Sequence, residues 1–566
     1  MASIKTLPND VVQLIAAGEV IDSFGAVVRE LAENAIDAGA TKVAIAIYPQ
    51  LWKIRVIDNG CGMDLEDLEL CATPHSTSKI GDRHDLANIA TLGFRGEALY
   101  SIAQVANLSI ASCTSGDTGH LLKAHQDQIS TASLHPMAVG SIVTVDHLFA
   151  NFPVRRNALP SLAQQLKNIQ QIVYHLALCH PHITWQIEQN DQRWLQISGG
   201  KTASEILPQL LKTITSNDLG DRHFTAANLV GLMPESSLEI VAGLPDRCHR
   251  HQPDWIKIAV NGRIVKFPAL ENAVIKAFFR TLPRDRHPIC FLHLQLPPEQ
   301  IDWNRHPAKN EIYLQHQEQW QELIKAAIAK TLRFSEANLP QVENQRVLNL
   351  IQTAEKKGEY LVDKNTSKSE VLETPKKSAL KVIGQSRNTY ILTEHAEGIW
   401  LVEQHIAHER ILYEKLQIAW KIVPSDELII LSDLTPKQLE QLTENIGLAL
   451  ESFGKNLWKI KTIPVALQSC DNLEAALLEL ADGGDLATAQ AAIACRTAVK
   501  NGTPLDQNTM ENIIEQWQQT QNPHTCPHGR PIYLSLEETS LYRFFRRHWV
   551  LGKSHGITEK SPPKNH

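Results

Sequence analysis

The sequence predicts a mixed α/β (α+β) protein whose ordered parts form two blocks on either side of a flexible segment. In the first block, residues 27–38 carry apolar side chains at the spacing of an amphipathic helix, and two strand-like runs, 43–48 and 53–57, follow. In the second block, residues 399–402 have the composition of a buried strand and residues 404–419 the pattern of a helix. Alternation of helix and strand is typical of α/β domains.

A change of composition separates the two blocks. Residues 344–381 are rich in Lys, Glu, Ser and Thr, and few large apolar side chains follow residue 360. Such a segment cannot bury enough surface to offset the entropy that it would lose on ordering, so we expect a flexible linker there. A length of 566 residues suggests about three or four domains. We expect the last residues, 553–566, to be disordered.

The overall composition narrows the class of protein. A formal net charge of −7 excludes a uniformly basic nucleic-acid binder, so any DNA contact must come from a local patch. The nine cysteines include no Cys-x-x-Cys pair, which favours a reducing compartment over a disulfide framework. The first residues lack a signal-peptide pattern, and no apolar run approaches the roughly 20 residues that cross a bilayer. We therefore expect a cytoplasmic protein without a membrane partner.

A polar helix face gives the first indication of a nucleotide site. The sequence contains no Gly-x-x-x-x-Gly-Lys-[Ser/Thr] loop, which argues against a P-loop NTPase. Glu30, Asn34 and Asp37 are spaced i, i+4 and i+7, so they share one face of the predicted helix. Taken alone, this pattern fits an ordinary solvated helix face better than a binding site.

Further segments follow in an order that suits a nucleotide. The predicted strand ends at Asp58, whose carboxylate can accept a hydrogen bond from a base, and nearby glycines permit close approach of a ligand to the backbone. A Gly-rich loop opens a helix predicted over 97–105, and free N–H groups at a helix N-terminus bind phosphate. The candidate residues are Asp58, Gly60, Gly62, Met63, Thr77, Ser78, Lys79, Gly93, Phe94, Arg95, Gly96 and Ser141, the last before a strand predicted over 142–145.

The order of these motifs resembles the GHKL ATPase superfamily. The segments ExxxNxxDA, DNGCGM, TSK and GFRGEAL, followed by a Gly-Ser strand, are similar to the ATP-binding fold that gyrase, histidine kinases, a heat-shock chaperone and MutL share. GFRGEAL and the run QLIAAGEVI at residues 13–21 are more specific to the MutL family of DNA mismatch repair proteins. This part of the resemblance covers residues 1–160.

The resemblance implies a domain order. It implies a GHKL ATPase sandwich over residues 1–205, a transducer domain over 206–335, the flexible linker over 336–381, and a C-terminal α/β dimerisation domain over 382–552.

The resemblance also implies roles in hydrolysis of ATP with Mg²⁺. Glu30 would be the general base that orients the attacking water, Asn34 the Mg²⁺ ligand, and Asp58 the partner of the adenine amino group. Residues 77–79 and 93–96 would form a lid over the phosphates. Such a set supplies the positioning and charge neutralisation that phosphoryl transfer requires.

Two motifs in the predicted transducer domain resemble the same family. An HPAK motif implies that Lys309 reaches the γ-phosphate from this second domain. Trp303 and Arg305 replace the valines that usually flank the preceding Asn, so the local strand packing stays open. An Asn-Gly-Arg turn implies a DNA contact for Arg263.

A set of candidate metal ligands lies in the predicted C-terminal domain. Imidazole, carboxylate and thiolate groups together suit zinc or a related transition metal. Two of them are spaced i, i+4 on the predicted helix, although such a pair alone is usually an ordinary polar pair. The full set is Glu403, His405, Glu409, Cys495, Cys526 and His528.

This set resembles the endonuclease motifs of those MutL proteins that nick DNA, DQHAxxERxxYE, ACR and CPHGRP. The resemblance implies Zn²⁺ or Mn²⁺ at the C-terminal site. Glu403 replaces the family's Asp, and Ile406 replaces its Ala. Because catalysis is sensitive to displacements of about 1 Å, the longer Glu can preserve metal binding while it weakens nicking.

The resemblance implies a homodimeric, ATP-switched clamp that binds DNA and couples a MutS-like mismatch-recognition protein to strand nicking. The replication sliding clamp is a further expected partner, although residues 419–424 lack the Gln of the family's clamp-binding motif. Two alternatives stay open: an ATP-dependent matchmaker without nuclease activity, and another GHKL protein such as a topoisomerase subunit or a chaperone. The chain leaves no length for a strand-cleaving tyrosine domain, and a chaperone would lack CPHGRP.

Overall fold

The computed structural model of the chain forms two compact units. One consists of Met1–Gly243, Pro253–Ala277 and Ile289–Ile328, and the other of Leu244–Gln252, Phe278–Pro288 and Ala329–His566. Within them the structure describes residues 17–18, 20–74, 76–79, 91–93, 96–126, 128–225, 236–302, 312–334, 380–395, 398–468, 470, 472–537 and 541. The predicted linker, apart from its last two residues, and the predicted tail lie outside the described residues.

A large mixed sheet is the frame of the first unit. Its strands are β1 (Lys42–Tyr48), β2 (Lys53–Asp58), β3 (Asn107–Cys113), β4 (His120–His125), β5 (Gln128–Ile129), β6 (Ser133–Leu134), β7 (Gly140–Asp146), β8 (Thr184–Gln189) and β9 (Gln192–Ile197). Among the described residues they run in the order β5-β4-β3-β7-β2-β1-β8-β9, with β6 beside β4. Side chains alternate along β1, so Val43, Ile45 and Ile47 are buried on one face.

Helices pack against this sheet. They are α1 (Phe24–Asp37), α2 (Leu65–Leu70), α3 (Ala98–Val105), α4 (Pro153–Ala158), α5 (Leu162–Cys179) and α6 (Ala203–Leu210). The helix predicted over 27–38 is confirmed as α1, which begins earlier because the Ser23 hydroxyl accepts a hydrogen bond from the N–H of Ala26. α1 buries Val27, Val28 and Leu31 and packs against α5, so its polar face is left for the site.

A second sheet completes the first unit. The elements from this part of the chain are β10 (Leu219–Phe224), β11 (Ser237–Gly243), β12 (His249–Arg250), β13 (Ile256–Val260), β14 (Arg263–Val265), α7 (Pro268–Ala277), β15 (His287–Pro288), β16 (Cys290–Gln295), β17 (Ile301–Asp302), β18 (Tyr313–Leu314) and α8 (Gln317–Leu332). The sheet runs β10-β11-β16-β13-β14, β17 pairs with β18, and β12 pairs with β15 in the second unit. Asn261 and Gly262 take left-handed φ values of 45° and 82° and make the tight turn from β13 to β14.

Besides the β12–β15 pair, two small sheets and several helices form the described part of the second unit. Its elements are β19 (Lys381–Ser386), β20 (Tyr390–His395), β21 (Gly398–Glu403), α9 (Gln404–Ile418), β22 (Ile422–Ser432), α10 (Pro436–Glu440), β23 (Leu450–Gly454), β24 (Leu457–Pro464), α11 (Leu473–Ala481), α12 (Leu486–Thr497), α13 (Gln507–Gln518) and β25 (Tyr533–Glu537). The sheets run β19-β20-β21-β25 and β22-β24-β23. Val402, Ile411 and Trp517 belong to the core under the first sheet, and Leu431 and Leu477 to the core under the second.

The predicted fold class is confirmed, because both units combine sheets with helices. The strand predicted over 399–402 is β21, and the helix predicted over 404–419 is α9, for which residue 419 is the C-cap. In the part of the chain that the structure describes, no helix is both long and apolar enough to cross a membrane.

Candidate functional site

The polar face of α1 meets two loops of the first unit at Asp37. The Asp37 carboxylate accepts hydrogen bonds from the N–H groups of Leu92 and Gly93, each at 2.9 Å. Lys79 Nζ donates to Asp37 Oδ2 at 2.6 Å and to Asn34 Oδ1 at 3.0 Å. The structure thus brings Asn34, Asp37, Lys79 and Gly93, four of the predicted residues, into one polar group.

Glu30 lies one helical turn before Asn34 on α1. Its Oε1 is 3.5 Å from Arg29 Nη2, and its side chain keeps 16% exposure. A carboxylate that is neither fully buried nor bound to a lysine can accept a proton from water, as a general base requires. The position therefore agrees with the predicted role, which stays a prediction.

The structure describes residues 77–79, Gly93 and Gly96 of the predicted lid. Thr77 Oγ1 accepts a hydrogen bond from the N–H of Lys79 at 3.1 Å, and Ser78 is exposed. Gly96 has a φ of 62°, and a Cβ there would lie 2.7 Å from the carbonyl oxygen of Ser76. Only glycine fits that position without displacement of the backbone. Phe94 and Arg95 lie outside the described residues.

The other end of the site is built on adjacent strands around Asp58. Asp58 ends β2 and faces Ser141 of β7 across the sheet. The N–H of Gly60 donates to Asp58 Oδ1 at 2.9 Å. Burial raises the pKa of Asp58, and the backbone N–H groups of Gly60 and Ser141 oppose the increase. The carboxylate keeps further lone pairs, so it can accept a hydrogen bond from a base amino group.

Gly62 and Met63 continue this end of the site. Gly62 has a φ of 74°, and a Cβ there would collide with the carbonyl of Cys113 on β3. The N–H of Met63 donates to Ser112 Oγ at 2.8 Å, and Ser112 Oγ lies 2.9 Å from Ser141 Oγ. These contacts hold the glycine segment close to the end of β3, where Cys113 lies.

The Arg263 side chain is mostly buried, and its predicted DNA contact stays a prediction. The predicted DNA contact presupposes an accessible guanidinium, but the Arg263 side chain is only 10% exposed. Its Nη2 is 2.6 Å from Glu33 Oε2 and also donates to the carbonyl oxygen of Leu92. Lys309, the other residue predicted from this part of the chain, lies outside the described residues.

Three residues that were not predicted contact Arg263 or the neighbouring Gly262: Glu33, His180 and His293. Glu33 is 4% exposed, and the signal for it was an acidic residue inside the apolar run LAENA. The N–H of Gly262 donates to His293 Nε2 at 3.0 Å, and His180 Nε2 lies 3.1 Å from the carbonyl oxygen of Gly262. No sequence pattern predicts the two histidines, because contacts between residues 31 and 82 positions apart depend on the tertiary fold.

In the second unit, most of the predicted metal ligands converge on Glu409. His405, Glu409 and Cys495 form one group, and Glu409, Cys526 and His528 form another, with ligand atoms within 4.8 Å of one another in each. α9 supplies the first two, α12 supplies Cys495, and the loop before β25 supplies Cys526 and His528. Imidazole, carboxylate and thiolate donors at these separations fit a zinc-like ion.

Hydrogen bonds orient two of these ligands. His405 Nδ1 lies 2.9 Å from the carbonyl oxygen of Val499, and a donor bond there leaves Nε2 free to ligate. His405 Nε2 lies 3.7 Å from Cys495 Sγ. Glu409 is fully buried, and its two oxygens contact His528 Nδ1 at 2.5 Å and Arg530 Nη2 at 2.7 Å.

The charges in this group depend on one another. Burial raises the pKa of Cys526, but hydrogen bonds from His528 and Arg530 outweigh burial and lower it. Burial likewise raises the pKa of Glu409, and His528 and Arg530 again reverse the direction. Hydrogen bonds to Cys526 and Glu409 raise the pKa of His528 to about 9. The pocket therefore favours anionic thiolate and carboxylate, the forms that bind metal, whereas His528 must lose its proton before it can ligate an ion.

Glu403 is the predicted ligand that the structure does not bring together with the others among the described residues. Its carboxylate caps the N-terminus of α9 by accepting the N–H of Ile406, and Asn501 Nδ2 donates to its other oxygen. Neither ligand group includes it among the residues described. The physical reason is local, since a carboxylate at an N-cap satisfies an otherwise unpaired backbone N–H.

Three family models match separate parts of the chain. Residues 22–139 match the histidine kinase-, DNA gyrase B- and HSP90-like ATPase model. Residues 225–333 match the C-terminal domain model of DNA mismatch repair protein, and residues 383–505 match the MutL C-terminal dimerisation domain. The first match includes both ends of the candidate nucleotide site, from Glu30 to Gly96.

Three relatives, each named DNA mismatch repair protein MutL, match over nearly the whole chain. The protein of Microcystis aeruginosa is 56% identical, over 98% of this chain and 99% of its own length. The protein of Rippkaea orientalis is 52% identical, over 98% of this chain and 99% of its own length. That of the more distant Methanoculleus marisnigri is 32% identical, over 97% of this chain and 100% of its own length.

Proposed function

The chain belongs to the MutL family of DNA mismatch repair proteins, and from this premise we propose that it is an ATP-switched homodimeric clamp that couples mismatch recognition to strand nicking. The proposed ATP switch is supported by one polar group in the GHKL-type ATPase domain, which consists of Asn34, Asp37, Lys79 and Gly93. In this proposal an ATPase domain over residues 1–205 and a transducer domain over 206–335 precede the linker and a C-terminal domain over 382–552.

In the proposed hydrolysis, Glu30 takes a proton from the attacking water. Asn34 would hold Mg²⁺, which supplies charge neutralisation on the phosphates when it is bound. The Asn34 amide oxygen fits this role, because it already contacts a cation, Lys79 Nζ, at 3.0 Å. Lys79 faces the same space and would exchange part of its contact with Asp37 for a phosphate oxygen. Lys309 would add a second lysine from the transducer domain.

Adenine recognition is proposed at Asp58. Its carboxylate is oriented by the N–H of Gly60 at 2.9 Å, so the other oxygen can accept the adenine amino group. The close approach of Gly62 to Cys113 keeps a path for the base along the strand edge. Together, Asp58 and the Asp37 group would bind the two ends of one nucleotide.

The proposed homodimer forms through the C-terminal domain. The strand register puts Ile399, Leu401, Leu534 and Leu536 on one face of the sheet, opposite the face that Val402 directs into the core. Ile399 and Leu534 are 37% and 58% exposed. Neighbouring exposed apolar side chains on a sheet favour a protein contact, and a second copy of the same domain fits such a face.

Nicking is proposed at the Glu409 group. His405, Glu409, Cys495, Cys526 and His528 would hold Zn²⁺ or Mn²⁺, which polarises a phosphodiester and lowers the pKa of a bound water. Arg530, at 2.7 Å from Glu409, adds a cation beside the carboxylate. The proposal does not use Glu403 as a ligand, since its carboxylate caps α9.

The second candidate function is an ATP-dependent matchmaker that has a structural metal and no nuclease. The position of Glu403 favours it, because this carboxylate binds the backbone of Ile406 and lies outside both ligand groups. Under either function we propose contacts with DNA and a MutS-like protein and a cytoplasmic location, and a contact with the sliding clamp stays a prediction.

A plasmid assay separates the two functions. Supercoiled plasmid is incubated with Mn²⁺ and either the parent chain or Glu409→Gln. The nuclease proposal expects relaxed plasmid from the parent only, with equal ATP turnover in both proteins. Metal-loaded parent protein that leaves the plasmid supercoiled with every divalent ion would support the matchmaker.

A further inference from the structure

One peptide group beside the nucleotide site is held from both sides. The carbonyl of Leu92 accepts a hydrogen bond from Arg263, and the N–H of Gly93, in the same peptide group, donates to Asp37 Oδ2 at 2.9 Å. The carbonyl and N–H of a trans peptide point in opposite directions. Arg263 and Asp37 therefore fix the rotation of this peptide group, and with it the start of the loop that is predicted to cover the phosphates.

The same arginine also binds α1. Nη2 of Arg263 has two N–H donors, and it donates to Glu33 Oε2 at 2.6 Å as well as to the Leu92 carbonyl. Glu33 directly precedes Asn34, and the Arg263 and Glu33 side chains are only 10% and 5% exposed. A buried carboxylate is costly unless it is paired, so this contact constrains both residues.

The turn that carries Arg263 is itself rigid. The Asn261 side chain exchanges two hydrogen bonds with Leu296, at 2.9 and 2.8 Å. His293 and His180 bind the two sides of the Gly262 backbone at 3.0 and 3.1 Å. A Cβ at Gly262 would lie 2.9 Å from the His180 ring, so the turn packs closely against that ring. The second sheet thus presents Arg263 in one orientation.

We propose that Arg263 is a positioning residue of the nucleotide site, which connects the second sheet to helix α1 and to the Leu92–Gly93 peptide group. This inference rests on the proposed ATP hydrolysis. The connection transmits movement of the transducer domain to the residues at the phosphate end, because Glu33 adjoins Asn34 and Leu92 adjoins Gly93. The proposed action of Arg263 is inside the protein. A contact with DNA would instead require an exposed side chain.

The test uses variants that separate a positioning role of Arg263 from a contact with DNA. Arg263→Lys keeps the positive charge, so a contact with DNA phosphate would persist, but it loses the planar donor group that reaches two acceptors. Glu33→Gln removes the buried anion and takes no positive charge from the protein surface. Arg193→Lys, at an exposed position on β9, is the matched control.

Steady-state ATP turnover is measured in the full chain without DNA, and duplex binding is measured separately. We expect Arg263→Lys and Glu33→Gln to raise KM for ATP by about tenfold or more, the effect of losing one hydrogen bond to a charged group. The DNA affinity of both variants should equal that of the parent. The Arg193→Lys control should keep the KM and the DNA affinity of the parent. The folded fraction is determined by thermal unfolding, since a purely structural defect lowers kcat through lost protein and leaves KM alone.

Three outcomes would overturn parts of this account in distinguishable ways. Unchanged KM in both variants, with a parent that turns over ATP, contradicts the positioning role. Unchanged KM in both variants, together with weaker DNA binding in Arg263→Gln, which removes the positive charge, assigns the arginine to DNA. A parent without ATP turnover overturns the proposed function itself. If Arg263→Lys does not fold, the KM for ATP of Glu33→Gln alone tests the positioning role.

Discussion

Asp37 and Lys79 form an ion pair across the nucleotide site, with Oδ2 and Nζ 2.6 Å apart and side chains 7% and 22% exposed. The pair connects the end of α1 to the loop after α2, and Asn34 Oδ1 contacts the same ammonium at 3.0 Å. An incoming triphosphate would offer Lys79 a stronger partner than the shared carboxylate.

We therefore expect Lys79→Gln to weaken binding of a non-hydrolysable ATP analogue about tenfold, as loss of one charge-assisted hydrogen bond predicts. Calorimetry in the presence of Mg²⁺ measures the affinity. Lys123→Gln, at an exposed position on β4, is the control for a general change of charge. Equal affinities in all three proteins would exclude Lys79 from phosphate binding.

Gly62 and Gly116 provide a matched pair for the base end of the site. Both have left-handed φ values, 74° and 88°, but a Cβ would collide with Cys113 at Gly62 and meets nothing within 4 Å at Gly116. Gly116→Ala should lower the free energy of unfolding by about 1–2 kcal/mol, from φ alone. Gly62→Ala should lower the free energy of unfolding by about 1–3 kcal/mol more than Gly116→Ala does, because the added Cβ overpacks the site. It should also bind nucleotide less tightly. Denaturant unfolding that shows the same loss in both variants would contradict the close approach.

The elements that could be predicted from the sequence are those that local spacing determines. The apolar spacing of residues 27–38 predicted α1 because buried side chains recur every helical turn. Its actual start at Phe24 depends on the Ser23 cap, a single hydrogen bond that hydrophobic periodicity does not detect. The i, i+4, i+7 spacing likewise placed Asn34 and Asp37 on the face that meets Lys79.

Contacts that depend on tertiary structure could not be predicted in this way. Glu33 and Arg263 are 230 residues apart, so no window of sequence contains the pair. The resemblance to a family suggested which residue types matter in the second unit, but not their conformations. Glu403 shows the difference, because its carboxylate accepts the N–H of Ile406 and caps α9, a conformation that the motif does not predict.

Removal of one thiolate tests the Glu409 group. We expect Cys526→Ser to lose bound zinc, measured by elemental analysis of the purified chain, because Cys526 is a buried donor in the group that Glu409 shares. Cys470→Ser, outside both ligand groups, should keep the metal. Chelation of the parent should lower its unfolding midpoint and leave Cys526→Ser unaffected. Full zinc content in Cys526→Ser would contradict the assigned ligands.

Two buried histidines, His175 within α5 and His180 at its C-cap, predict a loss of stability in acid. Burial lowers the pKa of His175 and of His180 to about 4, from an ordinary value of 6.5. Between these values the unfolded chain binds protons that the folded chain does not, so stability should be complete above pH 6.5 and fall as the pH decreases toward 4.

Thermal unfolding midpoints from pH 8 to pH 5 measure this effect. His175→Gln cannot titrate, so its midpoint should decrease less over this range than that of the parent. His182→Gln, at an exposed position, should follow the parent. A parallel decrease in all three proteins would mean that burial of His175 does not contribute to the pH dependence.

The central claim is that α1 carries the residues of an ATP hydrolysis site, and Glu30→Ala tests it most directly. The variant keeps Asn34, Asp37 and Lys79, so calorimetry should find ATP bound with an affinity close to that of the parent. Steady-state phosphate release should fall by about a hundredfold or more, because general-base catalysis contributes at least that factor. Normal binding with lost turnover is the predicted result. Turnover equal to that of the parent would contradict the account.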